Sequence, residues 1–278
     1  MNKLAIITDS SSDLTAELIG DLPIEIIPLR IIFDNAEYRD RVDIGSKEIY
    51  DRMNTEIPKT SLPSPEDIVN VFEKLKSEGY TQVIGMFISS GLSGTFNVVK
   101  TIASKYEKYM EIEIIDSLQV SMGLGYLVLN AARLSLTDIE INDIIKEIKE
   151  LREKISINFV VGTLEYLKKG GRIGHLSGVV GEILQIKPIL TIQDGGIETV
   201  KKVKGRKKSI KSLLELSERT SCDDIEHISI LHANAEEEAN KIKSQLLLDC
   251  PDLNIEVMYI SAVVGVHTGP GLIGIVTC

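Results

Sequence analysis

Residues Phe87-Ile88-Ser89-Ser90-Gly91-Leu92-Ser93-Gly94-Thr95-Phe96 join an apolar run to a helical repeat through a turn rich in hydroxyls and glycine. The run at 83–88 has the length and character of a strand buried on both faces of a parallel sheet. After the turn, Phe96, Val99 and Ile102 recur at helical spacing. The first backbone N–H groups of a helix have no intrahelical partners and sit at the positive end of its dipole. Gly91 and Gly94 carry no side chain to block approach to the backbone, and Ser90, Ser93 and Thr95 add hydroxyl donors. Such a turn suits a small anionic group. The same residues also suit an ordinary helix cap, and Ser93 alone does not separate the two readings.

The pattern of strand, polar turn and helix repeats on either side. A short strand is expected at 4–8, followed at once by a second polar turn, Asp9-Ser10-Ser11-Ser12-Asp13. In parallel α/β sheets such turns collect at the carboxyl ends of strands, where ligands bind. Residues 24–33 read as extended, with Pro28 marking an edge strand or an irregularity. The charges at 34–43 read as a surface connection, with a short helix after Ser46. Ser64, Pro65 and Asp67 form a near capping box for a helix that Gly79 stops. A strand at 112–115 ends in Asp116-Ser117, and helices follow at 119–134 and 141–154, the second opened by a capping box at Thr137 and Glu140. The expectation is a two-domain α/β protein. Residues 1–155 form a parallel, doubly wound domain, and residues 156–278 a mixed-sheet α/β domain. The second begins with a strand at 157–161 and a short helix at 164–169, and a further helix is expected at 179–184. Its mixed sheet is inferred from Asp194-Gly195-Gly196, a hairpin turn between apolar runs at 188–192 and 197–203.

Composition narrows the function. The 278-residue chain carries a net charge of −10, which argues against a general polyanion binder, and 5% aromatic content without tryptophan argues against base-stacking or carbohydrate platforms. No apolar run approaches the roughly 20 residues of a membrane span, and the apolar part of the N-terminus is too short for a signal peptide. The expected location is therefore the cytoplasm. Cys222, Cys250 and Cys278 are odd in number and far apart, and read as inert thiols. His227 and His232 lie five apart on an expected strand, pointing to opposite faces, and His175 is isolated, so no metal site is expected. No cofactor is expected either.

Several residues admit two readings. Ser64 is committed to its cap, whereas Thr60 and Ser61 precede it with no local task. They are ordinary loop hydroxyls or they face a ligand. His267, followed by Thr-Gly-Pro-Gly271, sits at an expected sharp backbone turn, either satisfying a carbonyl or donating to a bound anion. Gly91-Leu-Ser93-Gly-Thr95 invites comparison with the G-x-S-x-G nucleophile elbow, with His267 as base, although the fifth position is threonine. A serine hydrolase using Ser93 and His267 is therefore the alternative function. Lys168, Lys169, Arg172, Lys187 and a run of basic residues from Lys201 to Lys211 form a local basic cluster on an acidic chain. It is a solvated face, or a docking surface for an acidic or phosphate-bearing partner.

Taken together and in order, these segments resemble the DegV family of bacterial fatty-acid-binding proteins. The matching segments are Thr8 to Leu14, Thr60-Ser-Leu-Pro-Ser64, Ser89 to Thr95, Asp116-Ser117, Tyr166-Leu-Lys-Lys-Gly-Gly-Arg-Ile173, Lys187-Pro-Ile-Leu190 and His267-Thr-Gly-Pro-Gly271. They span essentially the whole chain. Leu62 stands where members often carry glutamine, and the hydroxyl-bearing positions are intact. The resemblance implies a binding protein, not an enzyme, that holds one long-chain fatty acid. Its carboxylate would be held by Thr60, Ser61, Ser93 and Gly94, with His267 nearby. It also implies presentation of the acid to a separate fatty acid kinase, with Arg172 and Arg206 on the face toward that partner. A buried carboxylate needs several donors to offset its desolvation, and separated hydroxyl-rich segments supply them. A tail of roughly 16 carbons would add on the order of 12 kcal/mol before binding costs, at about 0.8 kcal/mol per methylene.

Overall fold

A computed structural model of the chain describes residues 3–174, 186–217 and 227–278. The chain divides into two compact units, Met1–Ile44 with Thr60–Lys154 and Gly45–Lys59 with Ile155–Cys278.

The first unit opens with strand β1 (Leu4–Asp9), a 3-10 turn (Ser10–Ser12), helix α1 (Ala16–Ile19) and strands β2 (Ile24–Ile27), β3 (Arg30–Phe33) and β4 (Ala36–Arg39). After helix α2 (Ser46–Arg52), which belongs to the second unit, come β5 (Lys59–Ser61), α3 (Pro65–Ser77), β6 (Gln82–Phe87), α4 (Thr95–Ala103), β7 (Glu111–Asp116), α5 (Met122–Leu134) and α6 (Ile141–Lys154). Four strands pair in the order β2-β1-β6-β7, all parallel. This is the expected doubly wound sheet. On one face, Ala5, Ile7, Val83 and Phe87 pack with Ile68, Phe72 and Leu75 of α3 and Val99 and Ile102 of α4. The other face is covered by α5, whose residues from Met122 to Leu129 are all buried. Period-2 alternation within β1 and β6 sends successive apolar side chains to these two faces, which is why both strands read as unbroken apolar runs. The strand order reverses between β1 and β6, and in open α/β sheets ligands bind outside the carboxyl ends of the strands at that point.

The irregularity expected at Pro28 is present: Pro28 and Leu29 divide the extended stretch 24–33 into two strands, β2 at the sheet edge and β3 in the small sheet β4-β3-β5. Two local expectations are corrected. Thr137 does not open α6, which starts at Ile141; its hydroxyl donates to the Leu134 carbonyl at 2.7 Å, closing the preceding helix instead. The charged connection at 34–43 is not wholly superficial, because β4 forms within it and Asp40 is buried.

The second unit contains β8 (Ser156–Val160), α7 (Glu165–Lys169), β9 (Ile189–Gln193), β10 (Gly196–Lys201), α8 (Arg206–Ser217), β11 (Ile228–His232), α9 (Glu236–Asp249), β12 (Ile255–Tyr259), α10 (Ala262–Thr268) and β13 (Ile273–Thr277). Its sheet runs β10-β9-β8-β13-β11-β12, with β11–β12 parallel and the other pairs antiparallel. The mixed sheet follows from the β9–β10 hairpin, whose turn residues Asp194 and Gly195 both have positive φ. Helix α2 belongs here because Tyr50 is fully buried and its hydroxyl donates to the Ile260 carbonyl at 3.0 Å. The helix expected at 179–184 lies outside the described residues. Cys250, read from spacing as a thiol, is disulfide-bonded.

Candidate functional site

The turn after β6 is held by groups from its neighbours. The Ile88 N–H donates to Asp9 Oδ2 at 2.9 Å, tying the end of β6 to the end of β1. The Ser90 N–H donates to Asp116 Oδ1 at 3.1 Å, and the Ser89 N–H to the Gln119 carbonyl at 2.9 Å. Within the turn, the Leu92 and Ser93 N–H groups donate to the Ser89 carbonyl, and the Gly91 N–H donates to Ser89 Oγ. Gly94 is the N-cap of α4 and supplies no side-chain cap. Ser93 Oγ lies 2.9 Å from Thr95 Oγ1 and accepts from the Thr95 N–H at 3.3 Å. So Ser93 does serve the backbone at the helix start, one residue before the capping position. It remains half-buried, followed by the exposed Gly94 and the fully buried Thr95.

Thr60 and Ser61 lie on β5, where consecutive residues face opposite sides; Thr60 is half-buried and Ser61 exposed. The next residue, Leu62, reaches the Ser-Gly turn: a Cβ built on Gly94 would stand 3.6 Å from Leu62 Cδ2. The unit thus brings the Thr60-Ser61-Leu62 segment alongside Ser93 and Gly94. Ser64 is structural, as its sequence position indicates. Its Oγ accepts from the Asp67 N–H and from Arg30 Nη2, each at 3.0 Å.

The turn after β1 is the part that sequence reasoning left undeveloped. Residues Thr8 to Asp13 are all buried. Asp9 also accepts from the Ser11 N–H at 2.9 Å and from the Ser11 hydroxyl. Burial raises the Asp9 pKa above its ordinary value, and these bonds oppose the rise. Asp13 accepts from the Ser121 hydroxyl and pairs with Arg41, which also donates to the Leu14 carbonyl at 2.9 Å. Asp40, 1% exposed, completes the group. Burial lifts its pKa to about 7, only partly opposed by the Ser10 hydroxyl and Arg41, with Asp13 and Asp9 adding repulsion. Asp40 sits inside a charged run, which is the composition of a solvated loop and hides the burial.

The remaining expected residues belong to the second unit. His267 lies in the last turn of α10, not at the sharp turn expected; that turn follows it, at Gly269 with φ 75°. The ring is half-buried, and burial together with the positive charge of Arg172 holds its pKa down to about 4. At neutral pH it is an uncharged imidazole with one donor and one acceptor. Arg172 Nη1 donates to the Gly170 carbonyl at 2.7 Å. Arg206 pairs with Glu238, Nε to Oε2 at 3.1 Å, and Lys187 donates to the Gly162 carbonyl. Lys201, Lys202, Lys204, Lys207 and Lys208 are exposed. His232 is buried against the Tyr259 ring, and His175 lies outside the described residues.

Ser93 does not have the setting of a nucleophile elbow. It is not among the residues with positive φ, five residues lie between it and the end of β6 at Phe87, and its hydroxyl is engaged by Thr95. Among the described residues there is no cluster of three or more histidine, cysteine, aspartate or glutamate side chains that could hold a metal ion, and no helix is long and apolar enough to cross a membrane.

Comparison with known proteins agrees with this architecture over its full length. The family model described as "Uncharacterised protein, DegV family" matches residues 3–278. A DegV domain-containing protein of Clostridium acetobutylicum is 42% identical over 280 residues, covering 99% of each chain. The structure of DegV from Bacillus subtilis, described as a fatty acid binding protein, superposes with a TM-score of 0.92 at 31% identity over 100% of this chain and 99% of that one. A stearic acid-binding protein from Eubacterium ventriosum superposes with a TM-score of 0.89 at 30% identity over 100% and 98% of the two chains. With its whole length matched by the family model and by these relatives, the chain belongs to the DegV family.

Proposed function

We propose that this chain binds a long-chain fatty acid, holds the carboxylate with hydroxyl and backbone donors, and presents the acid to a partner fatty acid kinase in the cytoplasm. The observation that carries the reading is the start of α4. Ser93, Gly94 and Thr95 stand there beside Thr60-Ser61-Leu62, at the carboxyl end of β6 and next to the point where strand order reverses. Gly94 strengthens it. Its φ of −77° suits any residue and a Cβ would meet only ordinary contact, so neither backbone nor packing calls for glycine. Access of a ligand to the helix start does.

In this reading Thr60, Ser61, Ser93 and Gly94 hold the carboxylate, and His267 is a further, neutral donor. Charge-assisted hydrogen bonds to a carboxylate are the strong ones, so a few donors suffice to fix the head while the tail supplies affinity. Fatty acid binding by the Bacillus subtilis and Eubacterium ventriosum relatives supports the ligand class. The kinase partner follows from the family resemblance. Arg172 and Arg206 are the docking residues on the same resemblance, and the Arg206 guanidinium is paired with Glu238.

Titration calorimetry of the delipidated protein with saturated acids of 8, 12 and 16 carbons tests the reading. Affinity is expected to rise steeply with length, by up to about 0.8 kcal/mol per methylene. Equal affinity at all lengths, or none at 16 carbons, would refute it.

A further inference from the structure

Helix α7 ends in two adjacent glycines that the structure uses differently. Gly171 has φ 73°, the Arg172 N–H donates to the Leu167 carbonyl, and the Gly171 N–H donates to the Lys168 carbonyl. That is a Schellman cap, and it explains glycine at 171 by backbone conformation. Gly170 has φ −75° and ψ −7°, ordinary helical values. Its reason is space: a Cβ there would stand 2.1 Å from His267 Nδ1 and 3.0 Å from Cε1. The contact is reciprocal. At the end of α10, a Cβ on Gly269 would stand 2.1 Å from Cδ2 of Tyr166, and the Tyr166 carbonyl accepts from the Gly170 N–H at 2.8 Å. Each helix end receives the ring of the other on a bare Cα.

We infer that Gly170 is a positioning residue for ligand binding, the seat that fixes the His267 imidazole through direct contact with its Nδ1 edge. The inference rests on the reading of His267 as a donor to the bound carboxylate. A ring seated in this way needs no ordering when the acid binds.

The test is a cycle of Gly170→Ala, His267→Ala and the double variant, with Gly171→Ala as control and hexadecanoic acid as probe. Gly170→Ala is expected to weaken binding about tenfold, the scale of one hydrogen bond to a charged group, and to shift the His267 imidazole resonances. Gly171→Ala strains the same cap without touching the ring, so it should lower the melting temperature and keep the affinity. In the His267→Ala background the ring is gone and the Tyr166 carbonyl, 3.1 Å from the added methyl, is the close neighbour left, so Gly170→Ala should cost nothing further in affinity. That comparison also decides the matter if Gly170→Ala alone fails to fold. Unchanged binding by Gly170→Ala, an equal loss in Gly171→Ala, or an added loss in the double variant would overturn the inference. Wild-type affinity in His267→Ala would instead remove the reading beneath it.

Discussion

Two turns of similar composition leave neighbouring strands of the same parallel sheet, and the protein uses them in opposite ways. The turn after β1, Asp9-Ser-Ser-Ser-Asp13, is wholly buried, and its carboxylates are taken up by Ser11, Ile88, Ser121 and Arg41. The turn after β6 keeps Ser90, Gly91 and Gly94 exposed and Ser93 half-buried, at the head of a nine-residue helix. The first is scaffold, and the second is the turn we propose as the site. Hydroxyls and small residues at a strand's carboxyl end therefore do not themselves mark a ligand. What separates the two is burial: every residue from Thr8 to Asp13 is shut away from solvent, whereas the backbone at Ser90, Gly91 and Gly94 is open to it. Asp9 joins the pair, since it holds its own turn and also the Ile88 N–H of the other.

That division is broken most directly at Asp9. Asp9→Ala leaves three buried donors without an acceptor and is expected to cost on the order of 5 kcal/mol in urea unfolding. A loss below about 1 kcal/mol would mean the first turn is not scaffold.

Asp40 sharpens the same point through pH. Its folded pKa of about 7 lies above the ordinary 3.8, so the folded chain binds more protons than the unfolded chain between those values. Stability contributed by protonated Asp40 is present below pH 4 and lost as pH rises toward 7. Asp40→Asn should remove that slope and leave the variant more stable than the parent above pH 7, by up to about 4 kcal/mol. Superimposable stability profiles at pH 5 and 8 would contradict it. His267 works in the opposite sense: its folded pKa of about 4 is below the ordinary 6.5, so its contribution falls as pH drops from 6.5 toward 4.

The second turn should respond in affinity, not stability. Ser93→Ala is expected to weaken fatty acid binding by about ten- to hundredfold, while its urea midpoint moves by less than about 1 kcal/mol equivalent. Loss of stability without loss of affinity would place Ser93 with the scaffold. The smallest effect is expected at Gly94→Ala, which fits beside Leu62 and should change stability by no more than about 1 kcal/mol. Binding should still weaken, and unaltered binding would show that no ligand approaches that backbone.

Much of this was legible in the sequence because it is local. The apolar runs of β1, β6 and β7, the bounds of α6, the Ser64 cap and the Asp194-Gly195 hairpin each declare themselves within a few residues. The misreadings are tertiary. His267 reads as part of a sharp turn, yet residues 262–268 form a helix in which Gly265 accepts the Tyr50 ring against its backbone. Asp40 lies in a charged stretch, and only Leu29, Asp13 and Ser10, distant in sequence, explain its burial. The Ser93 hydroxyl was visible as a donor; that it would share its hydrogen bonding with Thr95 depends on how the neighbouring strands fix the turn.

The most direct test of the central claim is mass spectrometry of an organic extract of the purified protein beside one from Ser93→Ala. The account expects a near-stoichiometric long-chain fatty acid from the parent and a reduced amount from the variant. An extract that is empty, and stays empty after incubation with long-chain fatty acids, would contradict it.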